Sequence, residues 1–242
     1  MTEDLYDPRF VKAVFDRCSD RYIAFSYACS FGFTERWRRQ CVALLPPPDV
    51  QAPSGYDFMA GTGEVWPHLL KRFPDLEAIT AVDISSGMHR RALERLHALR
   101  AHKIAFIEDD LLASDLPSDS ADFVISTFGL KTFNPAQHAQ LAALTARVLK
   151  PGGVFSMVEA SDPKGWWLRP LYRLHLLVVL PLIERLFLRG ARDFAMIGVY
   201  SSNFGDASGL AGMLQAEGLE VRYRRPFFGC ATAVSGRKSL RS

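Results

Sequence analysis

Asp57-Phe-Met-Ala-Gly61-Thr62-Gly63, followed by Asp83, combines the residue types that can hold a nucleoside. Glycine at 61 and 63 lets the backbone turn sharply and brings peptide groups against a ligand that any Cβ would push away. The N–H groups that open a following helix then face an anion. A carboxylate delivered at the end of the next strand, as Asp83 would be, can accept hydrogen bonds from both hydroxyls of a ribose.

Elements must hold these groups in place, and the flanking sequence supplies them. Tyr56 to Met59 is a short apolar strand pattern, and Glu64 to Phe73 sets Val65, Trp66, Leu69, Leu70 and Phe73 at helical spacing. Ala78 to Val82 reads as a second strand. The dinucleotide fingerprint G-x-G-x-x-G needs a third glycine at 66, where this chain has Trp66. NAD and FAD are therefore disfavoured. The D-x-x-x-G-x-G form instead resembles the class I S-adenosylmethionine-dependent methyltransferases, whose cofactor, S-adenosyl-L-methionine, has no pyrophosphate. In that reading Asp57, Gly61, Thr62, Gly63, Asp83 and its neighbour Ile84 form the first half of the cofactor site.

The rest of the chain repeats the same rhythm. Pro8 to Tyr22 and Thr34 to Leu45 read as helices, with Thr34 as an N-cap and Pro46-Pro47-Pro48 as a stop. Ser85 is the expected N-cap of a helix running to Leu99, with Met88, Ala92, Leu96 and Leu99 on one stripe. Ile104 to Ile107 and Phe123 to Ser126 read as strands and Gln137 to Leu149 as a helix. Lys150-Pro-Gly-Gly153 reads as the turn that ends this helix, and Val154 to Glu159 as a fifth strand. Asp206 to Glu217 is a further helix, and Glu220 to Arg224 and Ala231 to Ser235 are the last two strands. Strands alternating with helices predict an open parallel α/β sheet covered on both faces, with ligands beyond the strands' carboxyl ends.

Trp166 to Tyr200 departs from this pattern. Trp166, Trp167, Leu171, Leu174, Leu176 to Val179, Leu182, Ile183, Leu186 and Phe187 form an apolar insert broken by Arg173, His175, Glu184 and Arg185. Its longest apolar run, Leu176 to Ile183, has eight residues, far fewer than the roughly 20 that span a bilayer. A core helix pair, a lid over a lipophilic substrate and a membrane-resting surface are the three readings.

Composition sets outer limits. A chain of 242 residues suits one α/β domain, divided into an N-terminal helical layer (1–50), a cofactor-binding core (51–160), the apolar insert (161–205) and a C-terminal helix with strands (206–242). With 29 basic and 26 acidic residues, the net charge of +3 gives no argument for nucleic acid. The clusters Arg36/Arg38/Arg39 and Arg222/Arg224/Arg225 read as solvated faces. Cys18, Cys29, Cys41 and Cys230 lack C-x-x-C spacing, and the six histidines are scattered, so reduced thiols and no metal are expected. The acidic N-terminus lacks an apolar signal region, which points to the cytoplasm, with peripheral contact at the inner face of the membrane if the insert rests there.

From Val11 to about Val234 the chain resembles, colinearly, the C-methyltransferases of ubiquinone and menaquinone biosynthesis. The residues carrying this are Val14-Phe15, Ser30-Phe31-Gly32, Trp37-Arg38, Gly61-Thr62-Gly63, Val82-Asp83-Ile84, Met88, Phe128-Gly129-Leu130, Val148-Leu-Lys-Pro-Gly-Gly153, and Glu159 with Ser161. The resemblance implies a Rossmann-like sheet of seven strands with the last antiparallel, and a lipophilic aromatic or quinol-type acceptor. It implies that Thr62 and Asp83 bind the methionine end and ribose of the cofactor, that Asp110 with Leu111 meets the adenine, and that Thr127 lines its reactive end. Asp109 is the alternative to Asp110 by one residue of register.

The departures concern the acceptor. Lys131-Thr132 stands where the family has Arg-Asn, Tyr22-Ile23 where it has Tyr-Asp, and Ser26 replaces a nearby Asn. Lysine cannot copy the planar fork of arginine. A phenol titrates near pH 10, so carbon methylation at neutral pH needs help in forming the phenolate. Lys131 is the catalytic candidate, as a cation or a base, against its reading as a solvated side chain or a partner of Asp122 or Glu159. Tyr22, His138, His175 and Tyr200 are weaker candidates. Three functions are open: C-methylation of a quinol-type aromatic, methylation of a secondary metabolite at O, N or C, and a non-catalytic scaffold serving a membrane biosynthetic complex. A homodimer is compatible with each.

Overall fold

The protein is described by a computed structural model covering residues 4–100, 102–179, 182 and 194–240, without the side chains of residues 28, 29, 194, 195 and 197. Ile183, Glu184, Arg185, Leu186 and Phe187 of the insert lie outside the described residues.

Seven strands form one sheet in the order β3-β2-β1-β4-β5-β7-β6. They are β1 (Ser54–Phe58), β2 (Ala78–Asp83), β3 (Ile104–Glu108), β4 (Ala121–Thr127), β5 (Leu149–Ala160), β6 (Leu219–Arg224) and β7 (Ala231–Lys238). β1 to β5 pair in parallel, whereas β7 runs antiparallel to both β5 and β6. The order reverses between β1 and β4, which opens a crevice at the carboxyl ends of these strands.

Helices cover both faces, because alternate residues of a strand point to opposite sides. Phe123 and Ile125 of β4 join the core under α3 (Phe33–Leu44), α4 (Trp66–Arg72) and α5 (Ser86–Leu99). Val124, between them, joins the core under α6 (Pro135–Val148) and the helix Ser208–Ala216. The continuous apolar run Phe123-Val-Ile125 is the mark of a strand buried on both sides.

Local chemistry sets most boundaries. The Ser85 hydroxyl caps α5 by accepting from the Met88 N–H, as expected. Asn134 and Gln137 form a capping box that starts α6 two residues before the expected point. The helix expected over Pro8 to Tyr22 ends at Cys18 as α1 (Pro8–Cys18), and a further helix, α2 (Tyr22–Cys29), follows after a turn. Thr34 is not an N-cap. Gly32 occupies that position with φ of 76°, and the Thr34 hydroxyl lies 3.0 Å from the Ser30 hydroxyl inside the first turn. Lys150 to Gly153 is not a separate turn but part of β5, whose pairing with β4 shifts register between Ala121 and Phe123. The irregularity absorbs the extra residues, and Gly152, with φ of 82°, takes the conformation that L side chains avoid.

Beyond β5 the chain leaves the sheet for α7 (Arg169–Leu174), a π-helical turn (His175–Val179) and, after the undescribed stretch, α8 (Phe194–Phe204); α9 (Ser208–Ala216) then leads to β6. Among the described residues no helix is long and apolar enough to cross a membrane.

Candidate active site

The turn after β1 is built from the residues that its sequence singled out. The Gly61 N–H donates to Asp83 Oδ2 at 2.8 Å and the Ser85 N–H to Asp83 Oδ1 at 2.9 Å, so one carboxylate ties the ends of β1 and β2 together. Burial raises the Asp83 pKa, and these two N–H donors oppose the rise. At Gly61, whose φ is 57°, an added Cβ would meet nothing within 4 Å: the space above the turn is open. Gly63 is needed for a different reason. A Cβ there would fall 2.4 Å from the ring of Trp66, the residue that replaces the third glycine of a dinucleotide site.

Trp66 is fully buried and its indole N–H donates to Asp57 Oδ2 at 2.8 Å. Asp57 lies beneath the turn and does not line the cavity; its Oδ1 has no hydrogen-bond partner. Burial pushes its carboxyl up to about 8, against the pull of the Trp66 donor. Thr62 is also buried, and its hydroxyl donates to the Glu64 carboxylate. The chain thus holds Asp57, Thr62 and Gly63 in the support of the turn and brings Gly61, Asp83, Ile84, Asp110, Leu111 and Thr127 together around one cavity. Asp110 faces this cavity, whereas Asp109 is occupied by the Ser114 hydroxyl at 2.9 Å.

The N-terminal helices lie over this cavity and supply much of its cover. Val11 and Phe15 of α1, Tyr22 of α2, Arg38 of α3 and Glu64 also line it. Helix α1 is pinned over the end of β2 by Lys12, whose ammonium donates to the Ile84 carbonyl at 2.9 Å and to Glu108 Oε1 at 2.9 Å. Arg38 corrects the expectation of a solvated basic cluster: Arg36 and Arg39 are exposed, but Arg38 is 6% exposed. Its spacing contained the signal, since Thr34, Trp37, Arg38 and Cys41 fall on one helical stripe.

A second cavity, of about 540 Å³, opens between α2, α3, α7 and the loop before β7. Its walls are largely aromatic and aliphatic, with Phe33 packed 4.3 Å from Phe227 and Trp166 stacked on Phe228. Tyr22 and Phe128 belong to both cavities. Phe128 has φ of 67°, a costly conformation for an aromatic residue, and it turns the chain at the end of β4 so that the ring stands between the two spaces.

Lys131 lies in the wall of the apolar cavity, 3% exposed. Its ammonium donates to Glu159 Oε1 at 2.9 Å and to the Phe128 carbonyl at 2.6 Å, and its backbone N–H donates to Glu159 Oε2 at 3.1 Å. Of the partners considered for it, Glu159 is the one the fold supplies; Asp122 is bound to Lys150 and Ser54 instead. Burial raises the Tyr22 phenol, and Tyr22 is placed at the junction of the cavities. His175 packs against Phe31 at the chamber's edge. His138 and Tyr200 do not reach either cavity: His138 is bonded to the Leu130 carbonyl, and the Tyr200 hydroxyl donates to the Leu5 carbonyl. Burial lifts the thiols of Cys41 and Cys230 to about 12 and about 11, which leaves neither available as a thiolate.

The pieces fit an adenosyl ligand: an open space above Gly61, a carboxylate at a strand end, apolar walls from Met88 and Leu111, and a second carboxylate at Asp110. Comparison with known proteins agrees. The model of the ubiE/COQ5 methyltransferase family matches residues 2–238. A demethylmenaquinone methyltransferase of Bacillus cereus is 26% identical over 230 residues, which cover 94% of this chain and 95% of that protein. Among solved structures, an O-methyltransferase family protein of Burkholderia thailandensis superposes with a TM-score of 0.59 at 20% identity, over 98% of this chain and 61% of the other. Human N-acetylserotonin methyltransferase in complex with SAM gives 0.57 at 19% identity, over 90% and 58%. At these identities the structural likenesses establish the fold.

Proposed function

Since the chain belongs to the ubiE/COQ5 methyltransferase family, we propose that it methylates a ring carbon of a lipophilic, quinol-type aromatic held in the apolar chamber. The protein is a methyltransferase, and S-adenosyl-L-methionine is the methyl donor. The observation that carries the proposal is the pair of cavities, one lined by the carboxylates of Glu64, Asp83 and Asp110 and the other largely apolar, with Tyr22 and Phe128 in the wall of both. Methyl transfer needs such an arrangement, because nucleophile and donor must meet in line with water excluded.

When bound, the cofactor supplies a methyl group already activated on a sulfonium. The proposed holders of its adenosyl part are Asp83 for the ribose hydroxyls, Asp110 with Leu111 and Ile84 for the adenine, and the open face of Gly61 with Thr127 along its length. Asp57, Thr62 and Gly63 act through the turn that they support. Lys131 is proposed to steady the phenolate form of the acceptor. The pairing with Glu159 and the bond to the Phe128 carbonyl support a role as a cation over one as a base. Two of its three N–H groups are engaged and one remains for an acceptor oxygen.

The demethylmenaquinone methyltransferases among its relatives support a quinol-type acceptor. Lys131-Thr132 in place of Arg-Asn, and Ser26 in the chamber wall, support an acceptor head that differs from theirs. The exposed Trp167, Leu171, Leu174 and Val178 of the insert support entry of the acceptor from a membrane surface. Incubation with the cofactor and a panel of quinols, phenols and prenylated aromatics should yield a product heavier by about 14 Da. Carbon-13 NMR of the product locates the methyl group. An O-methyl signal would replace C-methylation by the secondary-metabolite reading, and no product from any aromatic would overturn the proposal.

A further inference from the structure

We infer that Arg38 and Glu64 form the recognition site for the amino-acid end of the cofactor, the guanidinium for its α-carboxylate and the carboxylate for its α-ammonium. This rests on the reading of the first cavity as the adenosyl site.

Arg38 is a buried cation left short of partners. Its Nε has no acceptor, its terminal nitrogen stands 3.6 Å from Glu64 Oε2, and its guanidinium carbon lies 5.1 Å from the centre of the Phe128 ring. A separation of 3.6 Å is an ion pair without a hydrogen bond. Arginine carries five N–H donors, and burying them unsatisfied is costly unless an anion completes the site. Glu64, by contrast, is held in place: the Thr62 hydroxyl donates to Oε1 and Arg95 approaches it at 3.8 Å, while Arg95 Nε is anchored on the Thr62 carbonyl at 2.7 Å.

Both side chains line the cavity together with Gly61. They also wall an adjoining pocket with Thr34 and His68, so there is further space on the side of these two residues. A zwitterion is the complement of a loosely joined Arg–Glu pair. Its carboxylate takes the arginine's idle donors, its ammonium takes the glutamate, and the net charge of the site does not change. This also gives Thr62 a role: its hydroxyl orients Glu64 and need not touch the ligand.

Two ligands separate this role from a structural one. S-Adenosylhomocysteine carries the amino-acid end, and 5′-methylthioadenosine has the same thioether nucleoside without it. Calorimetry on Arg38→Met and on Glu64→Gln should show S-adenosylhomocysteine bound roughly 10- to 100-fold more weakly, the loss of one charge-assisted contact. Affinity for 5′-methylthioadenosine should stay within about twofold, which also reports that the variant is folded. Arg38→Lys, which keeps the charge and loses the fork, should fall between wild type and Arg38→Met. Equal losses for both ligands, or undiminished binding of S-adenosylhomocysteine, would overturn the assignment. A wild-type protein that binds neither would overturn the adenosyl reading beneath it.

Discussion

The two cavities meet at one pair of side chains yet are made in different ways. The first cavity has its floor on the ends of β1, β2 and β4, whose positions are fixed by sheet register, with the Asp83 carboxylate held by two backbone N–H groups and α1, α2 and α3 as its cover. The apolar chamber is walled by α2, α3, the insert and the Phe227 loop, which pack through rings and not through a ladder of hydrogen bonds. A carboxylate at a strand end, tied by two backbone N–H groups, is held in a single orientation. Packed side chains without directional bonds can accept ligands of different shape. On the proposed reading, the first cavity suits a ligand of fixed shape and the second an acceptor whose shape the packed rings can follow.

Substitutions on either side should sort by cavity. Asp83→Ala is expected to have the largest effect, since the ribose loses two charge-assisted bonds of about 1.5–3 kcal/mol each and the turn loses its tie. Calorimetry with S-adenosylmethionine measures it, and an unchanged affinity would show that the first cavity is not the cofactor's. Lys131→Met should leave cofactor affinity intact and abolish turnover. It should also destabilise the fold by about 3–5 kcal/mol, because Glu159 is stranded without its partner. The double variant Lys131→Met/Glu159→Gln sharpens the point: if stability returns and turnover does not, the lysine serves the acceptor and not merely the core.

Asp57 provides a pH test of the rigid side. Burial pushes its carboxyl up to about 8, above the ordinary 3.8 of an aspartate, so the native state binds the proton more tightly than the unfolded chain does. Stability from this group is therefore fully present below about pH 4 and declines as pH rises toward 8, with a slope of at most about 1.4 kcal/mol per pH unit. Asp57→Asn should flatten chemical-denaturation stability between these limits while keeping the oxygen that accepts from Trp66. A slope unchanged by the substitution would mean that the carboxyl is ionised in the native state. The smallest effect is expected at the outer edge of the chamber. Val178→Ser/Val179→Ser should weaken flotation with liposomes without altering cofactor binding, and a wild type that does not float would restrict the exposed apolar residues to acceptor binding.

Much of the first cavity was legible in the chain because its geometry is local. The run from Tyr56 to Gly63 encodes strand and turn, Ser85 caps the next helix, and Asp83 follows at the end of an apolar strand, so each position follows from a neighbour in sequence. Sequence could not tell which of these residues touch a ligand. Asp57, Thr62 and Gly63 have the right types and spacing, but Trp66 and Glu64 take them into the support of the turn. Arg38 was read as surface because a charge cluster usually is, and the apolar stripe on which it lies outweighed that rule.

The amino-acid sequence alone determined the alternation of strand and helix, the glycine turn without the third glycine of a dinucleotide fingerprint, and the carboxylate at the end of β2. Hydrophobic periodicity and short-range hydrogen bonding act over a few residues, and they are written in a few residues. The tertiary structure decided the rest: that Lys131 meets Glu159 from 28 positions away, that Phe128 and Tyr22 form one wall for two cavities, and that Arg38 is buried beside Glu64. Those contacts join distant segments, and only the packing of α2 and α3 over the sheet brings them within reach.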